Sequence, residues 1–221
     1  MPEQENTSDR LFPLSFPQWM FWLLDQLEPD IPAYNLCRAL KIEGPLDLEA
    51  LRGVFRALLR RHEVLRTSFI AQDGDLFQRV HEHIEFSLPV RDLSGLPAAA
   101  RMPEALMIAS EDGRKPFDLE DAPLLRATLL RLSPEEYVLV LVMHHIITDG
   151  WSMSILFREI AEFYGQLALS RPPQIAPLQI RYTDFACWQR EQLTEEVLKK
   201  DLEYWQNRAV DPRHGTIGVR L

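Results

Sequence analysis

Apolar positions recur with the 3.6-residue period of a helix in some stretches and with strand character in others. Between 47 and 62, Leu48, Leu51, Val54, Phe55, Leu58 and Leu59 fall on one helical face, and Asp47 is placed to cap it. Between 152 and 169, Met153, Leu156, Phe157, Ile160, Phe163, Tyr164 and Leu167 form a second stripe. A further amphipathic helix is expected over 183–205, and a weaker helical pattern covers 98–112. Pro17 suits the first turn of a helix that takes in Trp19, Phe21, Trp22, Leu23 and Leu24. Strand patterns cover 34–43, which Gly44 and Pro45 end, and 66–71 and 76–81, which flank the turn Gln72-Asp73-Gly74-Asp75. Others are expected at 85–90 and, around Ser133-Pro134, at 124–132 and 137–143. The last of these is an uninterrupted apolar run, the mark of a central strand covered on both faces. Pro172, Pro173 and Pro177 make 170–181 a linker, and residues 1–10 read as a disordered lead. Helices and strands interleave without an internal repeat, so the expected class is α/β.

Composition narrows the possibilities. The chain has 221 residues, with 26% charged and 46% hydrophobic positions, close to the globular average. Disorder, collagen and coiled coil are thereby excluded. The length allows one large domain or one and a half, and it can bury a core without staples. Lys+Arg is 24 and Asp+Glu 33, a net charge of −9, which argues against a general nucleic-acid binder. Cys37 and Cys187 stand far apart and outside any CxxC or Cys/His cluster, so each reads as a buried thiol and no metal site is expected. The polar start MPEQENTSDR has neither a basic n-region nor an apolar h-region, and no run approaches 18 apolar residues. The expected location is the cytoplasm, with no membrane partner.

The candidate chemistry lies in His144-His145-Ile146-Ile147-Thr148-Asp149-Gly150. This stretch begins where the buried strand should end and stops where a helix should begin, a place where α/β folds often carry functional groups. Successive strand side chains point to opposite faces, so His144 and His145 cannot both address one cavity. One is free to serve a site while the other packs or holds the loop. Asp149 suits an N-cap of the following helix, and Gly150 permits a tight turn. Each residue alone has such a plain structural explanation. Jointly, the pattern HHxxxDG arises by chance in on the order of one in several thousand chains of this length.

HHIITDG resembles the signature of the condensation domains of nonribosomal peptide synthetases, which group with chloramphenicol acetyltransferase and other CoA-dependent acyltransferases. Further stretches agree in order. Arg61-His62-Glu63-Val64-Leu65-Arg66-Thr67-Ser68-Phe69 matches RHExLRTxF, and Tyr182-Thr183-Asp184-Phe185-Ala186-Cys187-Trp188 is similar to YxDFAxW. The stretch from Ser15 to Leu24, SFPQWMFWLL, resembles SxAQxRLWFL, with Pro17 and Met20 in place of the usual Ala and Arg.

The resemblance implies a chloramphenicol acetyltransferase-like lobe with a mixed β-sheet and flanking helices. It implies amide formation in secondary-metabolite biosynthesis. The donor is an acyl or peptidyl thioester and the acceptor the α-amine of an aminoacyl thioester, both delivered on phosphopantetheine arms of upstream and downstream carrier proteins. An adjacent adenylation domain is a further implied partner. No cofactor is expected to bind the chain itself, and no Gly-rich phosphate loop is present. His145 is the expected catalytic residue, positioning the amine and taking its proton late. His144, Asp149 and Gly150 complete the catalytic set. Asp149 is implied to form a salt bridge with an arginine, for which Arg61 and Arg66 are candidates and an arginine outside this sequence is the alternative. Gly150 is expected to permit backbone approach to substrate and to lend an N–H to the oxyanion, or simply to serve a turn. Trp151 and Ser152 are expected to support the site, Trp151 by packing. His81 and His83 read as a solvated strand face.

Epimerization domains share HHxxxDG, and RHEVLRTSF favours condensation over them; heterocyclization variants replace the double His with Asp. A non-catalytic fragment that docks carrier proteins is an alternative of a different class. Length bears on this. Family members have about twice as many residues, in two similar lobes. The matches end at Trp188, Tyr204-Trp205 resembles the end of a first lobe, and QNRAVDPRHGTIGVRL has no later motif. The expectation is a lead at 1–10, an N-terminal lobe at 11–205 and a tail or interlobe linker at 206–221. The C-terminal lobe is then a required partner, and the chain alone is expected to condense substrates slowly or not at all.

Overall fold

The computed structural model describes residues 9–29 and 31–209. In chain order its elements are β1 (Arg10–Pro13), α1 (Phe16–Leu27), β2 (Asn35–Glu43), α2 (Leu48–Arg61), β3 (Thr67–Gln72), β4 (Asp75–Val80), β5 (Val90–Asp92), α3 (Ala98–Arg114), β6 (Leu125–Ser133), β7 (Glu136–His144), α4 (Gly150–Ala168), α5 (Tyr182–Gln192) and α6 (Glu195–Ala209). The strands form a three-stranded sheet ordered β1-β4-β3 and a four-stranded sheet ordered β2-β7-β6-β5. Every pairing is antiparallel except β5 with β6.

Strand β7 lies inside the larger sheet, and its period-2 alternation divides the core. Val138, Val140 and Val142 pack on the side of Ala105, Ile108 and Ala109 of α3. Leu139, Leu141 and Met143 pack on the side that α2 and α4 cover, among Leu51, Leu58, Met153 and Leu156. All six strand residues are at most 2% exposed, which explains the unbroken apolar run. Truncating any of the leucines here to alanine would cost about 2–5 kcal/mol. Helix α2 forms where its periodicity predicts. Asp47 caps it by accepting a hydrogen bond from Ala50 N at 3.0 Å, while Arg60 and Arg61 sit in the last turn, where cations suit the helix dipole.

Several expectations are corrected. The segment 85–89 is not a strand. Pro89 has no N–H to give a ladder, and Phe86 stacks on Phe55 at 4.9 Å between centroids, so this stretch is held by side-chain packing and pairing starts at Val90. The helix expected over 183–205 is two helices. Thr194 ends one and caps the next, its hydroxyl accepting from Val197 N at 3.5 Å. Of the lead at 1–10, residues 1–8 lie outside the described residues, and Arg10 already belongs to β1, paired with Val80. Helix α6 continues to Ala209, past 205; the rest of the expected tail, 210–221, lies outside the described residues. Both cysteines are free thiols that are half-buried rather than fully buried, and burial raises the pKa of each. His81 and His83 do not share a strand face. β4 ends at Val80, His81 turns inward to Ser68 Oγ (2.9 Å) and Asp9, and the His83 side chain is 92% exposed.

Candidate active site

The turn after β7 separates the paired histidines. His144 closes the strand and is 3% exposed, ringed edge-on by Phe21, Tyr34 and Phe117. Its Nδ1 accepts the N–H of Ile146 at 3.1 Å, so the ring proton sits on Nε2 and the imidazole braces the loop. Burial, with a smaller contribution from the neighbouring His145, pushes its pKa down to about 4. It is therefore neutral at physiological pH. His145 leaves on the other side. Its backbone N donates to Tyr34 O at 2.8 Å, and its half-buried ring stacks on Phe21 at 4.9 Å with 22° between planes.

His145 opens onto a cavity of about 340 Å³. The apolar wall includes Phe21, Val64, Leu65, Met143, Ile146, Ile147 and Leu156; the polar groups are His145, His62, Thr148, Asp149, Ser152 and Tyr182. A concave, mainly apolar space with few polar groups is the usual character of a small-molecule site, and this volume lies in the usual range. The Tyr182 hydroxyl shares a hydrogen bond with Ser15 Oγ at 2.9 Å; burial raises its pKa, outweighing the lowering effect of that bond. Among the described residues, no group of three or more His, Cys, Asp or Glu side chains is placed to hold a metal ion.

The four motif segments meet around this cavity. Ser15 caps α1 in a reciprocal box with Gln18. The start of α1 is tied to α5 through Ser15–Tyr182, through Phe16 N to Gln189 Oε1 (2.9 Å) and through Arg190 Nε to Leu14 O (2.7 Å). Arg61 and His62 reach α4 through Glu159. Glu63 accepts from Arg10, Arg66 and Arg181.

A family model, the condensation domain, matches residues 8–214. The chain belongs to the condensation-domain family. Over 198 residues it is 44% identical to one of the linear gramicidin synthase proteins of Brevibacillus parabrevis, covering 90% of this chain and 3% of that protein. It is 43% identical over 196 residues to phosphinothricin tripeptide synthetase PhsC of Streptomyces viridochromogenes, covering 89% and 18%. The starter condensation domain of rhizomide synthetase RzmA has TM-score 0.80 at 25% identity, covering 90% of this chain and 50% of that one. A chain in the complex of the X-domain and OxyB from teicoplanin biosynthesis has TM-score 0.76 at 29% identity, covering 91% and 44%. This condensation-family chain thus spans about half the length of the structures it resembles and a small part of the synthetases. Its fold is the α/β, mixed-sheet lobe that the resemblance implies.

Some of the site residues expected of a condensation domain stand elsewhere than expected. Neither Arg61 nor Arg66 pairs with Asp149. Arg61 Nε is 2.9 Å from Glu159 Oε1 and its guanidinium also reaches Ala176 O; Arg66 bonds Glu63 and His81 O. Arginines follow the nearest buried acceptors, and those are Glu159 and Glu63, each with side chains no more than 10% exposed. Asp149 is exposed and forms no ion pair among the described residues. It caps α4, Oδ1 accepting from Ser152 N at 2.7 Å, and its pKa is lowered first by the Ser152 side chain and next by this backbone bond. Ser152 supports the site through this backbone N–H. Trp151 is not packed into the core of the described residues: it is 79% exposed. Gly150 is exposed, lacks a positive φ, and a Cβ on it would meet no atom within 4 Å, so no turn geometry of this lobe demands glycine there.

Phe21 and Glu159 carry site roles that the motifs alone do not assign. Glu159 has a readable signal in the sequence. It lies three residues after Leu156 and four before Phe163, on the buried stripe of α4, where an isolated carboxylate calls for a partner.

Proposed function

We propose that this chain forms the N-terminal half of a condensation domain that joins a carrier-bound acyl or peptidyl thioester to the α-amine of a carrier-bound aminoacyl thioester. The observation that carries the reading is the placement of His145: on a cavity wall, backed by Phe21, one residue beyond a buried His144 that fixes the loop. Phosphopantetheine arms of the carriers would supply both substrates, and the chain itself would hold no cofactor. The apolar wall suits the donor acyl chain, and His145 is the polar group for the reacting end.

The acceptor amine attacks the thioester carbonyl carbon. An α-amine with pKa near 7.7–8.0 is substantially neutral at physiological pH, so His145 acts by orienting the amine and taking the proton lost as the C–N bond forms. The C–S bond then breaks, and the thiolate leaves with that proton. Asp149 sets the start of α4 beside the cavity, and Gly150 leaves the adjoining space open for substrate. A second half of the domain would supply the facing wall, since positioning for catalysis needs about 0.5 Å precision. The proposed location is cytoplasmic, beside carrier and adenylation domains.

Single-turnover transfer with donor and acceptor preloaded on their carriers tests the reading. In the complete domain, His145→Ala is expected to lower the rate by roughly 10²–10⁴-fold, the usual range for a positioned acid–base group. Near-normal transfer by this variant would sink the assignment. The 221-residue chain without a facing half is expected to bind carriers but to turn over little; rapid condensation by the chain alone would contradict the need for that half.

A further inference from the structure

His62 follows the last residue of α2 and lines the same cavity as His145. Its Nε2 lies 2.5 Å from Glu159 Oε2. Glu159 is 7% exposed, and its other oxygen accepts from Arg61 Nε at 2.9 Å. An ionised carboxylate only accepts, so a neutral His62 carries its proton on Nε2 and keeps a lone pair on Nδ1. Among the described residues, nothing hydrogen-bonds to Nδ1. A buried carboxylate that fixes an imidazole and leaves its second nitrogen open is the arrangement of a supported general base.

Glu159 and Arg61 form the buried pair behind His62; Glu63 neighbours it in the chain. Arg181 and Tyr182 flank it at the start of α5, and His145 and Asp149 share its cavity. Among the described residues, only Glu159 is hydrogen-bonded to the ring.

We propose that His62 is a second base of the cavity, one that takes the ammonium proton of the acceptor so that the neutral amine reaches the donor thioester. The proposal rests on the condensation reading above and adds to it an earlier proton loss, from the fraction of acceptor that arrives as ammonium. The ammonium gives one proton to His62 Nδ1, the ring nitrogen opposite the one that Glu159 holds. The freed lone pair attacks the thioester carbon, and the second proton passes to His145 as the C–N bond forms. The C–S bond breaks, the thiolate leaves with the proton from His145, and His62 returns its own to solvent. Glu159 acts through His62 and is a positioning residue.

The test is single-turnover amide formation by the whole domain that carries this segment, with preloaded carriers, at pH 6.5 and pH 8.5. An amine of pKa 7.7–8.0 is only about 5% neutral at pH 6.5 and mostly neutral at pH 8.5. His62→Gln, and Glu159→Gln to a smaller degree, is expected to lower the rate at both values and several-fold more at pH 6.5, where the ammonium dominates, than at pH 8.5. A merely structural role would lower the rate alike at both values, and that result, or an unchanged rate at both, overturns the proposal. A wild-type domain that forms no amide at either pH overturns the condensation reading instead, and this one with it. An independent arm needs no activity. Nitrogen-15 NMR of the 221-residue chain is expected to show His62 protonated on Nε2 and bare on Nδ1 when neutral; the opposite tautomer overturns the proposal.

Discussion

Replacing Asp149 by asparagine and by alanine separates two roles for this carboxylate. As a helix cap it gives one hydrogen bond acceptor to Ser152 N at 2.7 Å, on an exposed residue at the start of a 19-residue helix. Asparagine caps about as well as aspartate. Its only loss is the charge facing the helix N-terminus, about 0.3–1 kcal/mol at an exposed site. Alanine also loses the acceptor and is expected to cost about 1 kcal/mol more. In a protein of this size each kcal/mol moves the thermal midpoint by about 2–4 °C. As one partner of a buried ion pair, by contrast, Asp149 would cost about 3–5 kcal/mol in either variant, because the arginine would be left unpaired. Thermal and urea denaturation of the chain and the two variants at pH 7 measure the difference. The cap predicts a graded order: wild type, then Asn close behind, then Ala. Acid carries a second signature. The Ser152 hydrogen bond holds the folded pKa of Asp149 below its ordinary value. The stabilisation is thus complete above that ordinary value and lost as pH falls through the folded one, so wild type converges on the Asn variant only in strong acid. An Asn variant as destabilised as Ala, or a loss above about 3 kcal/mol in either, would refute the cap and restore an ion pair.

His144 predicts a different pH dependence. The unfolded ring binds a proton near 6.5 and the buried one only near 4, so the unfolded state gains stability first as pH falls. The contribution of the neutral ring is complete above pH 6.5 and is lost between 6.5 and about 4, a range worth about 3 kcal/mol for a side chain so deeply buried. His144→Asn keeps an acceptor for Ile146 N and cannot titrate, so its stability curve should be flatter over that range; parallel curves would count against the assignment. Gly150→Ala should leave the stability of the chain within about 0.5 kcal/mol, since a Cβ there meets no atom within 4 Å. A marked fall would mean that local backbone, not substrate space, selects glycine. Trp151→Ala should be equally silent in chain stability, because the side chain is 79% exposed. A loss above about 2 kcal/mol would show that it packs after all.

What could be read from the sequence was set by local physics. The alternation of 137–143 placed β7 and assigned Leu139 and Val140 to opposite layers, and the same parity sent His144 and His145 to different surroundings. Asp47 and Asp149 were legible as caps because the acceptor sits three residues from its donor. The partners of Arg61 and Arg66 were not. Each choice depends on which carboxylate the tertiary packing buries nearby, and Glu159 lies 98 positions from Arg61. The break between α5 and α6 carries no Gly or Pro. Thr194 alone marks it, a signal too weak against the continuous amphipathic pattern around it. The exposure of Trp151 is not legible either, because hydrophobicity indicates a preference for burial and not which surface satisfies it.

Long-range anchoring also explains why the site is built from four separated segments rather than from the HHxxxDG turn alone. The turn fixes the histidine backbones, through His144 Nδ1 on one side and Tyr34 O on the other, but it cannot fix the rotation of the His145 ring. That is set by Phe21, whose helix is anchored in turn through Ser15 to Tyr182 and through Phe16 to Gln189. Loss of the Ser15–Tyr182 bond should therefore act on His145 at a distance, through a tilt of α1. Tyr182→Phe keeps the ring in the cavity wall and removes only the hydroxyl, a change expected to cost about 0.5–1.5 kcal/mol in stability. If the anchor matters, NMR exchange broadening should rise at the His145 and Phe21 rings in this variant while His144, held by its own loop, stays sharp. Equal broadening of both histidines would show that the turn, not α1, governs the ring.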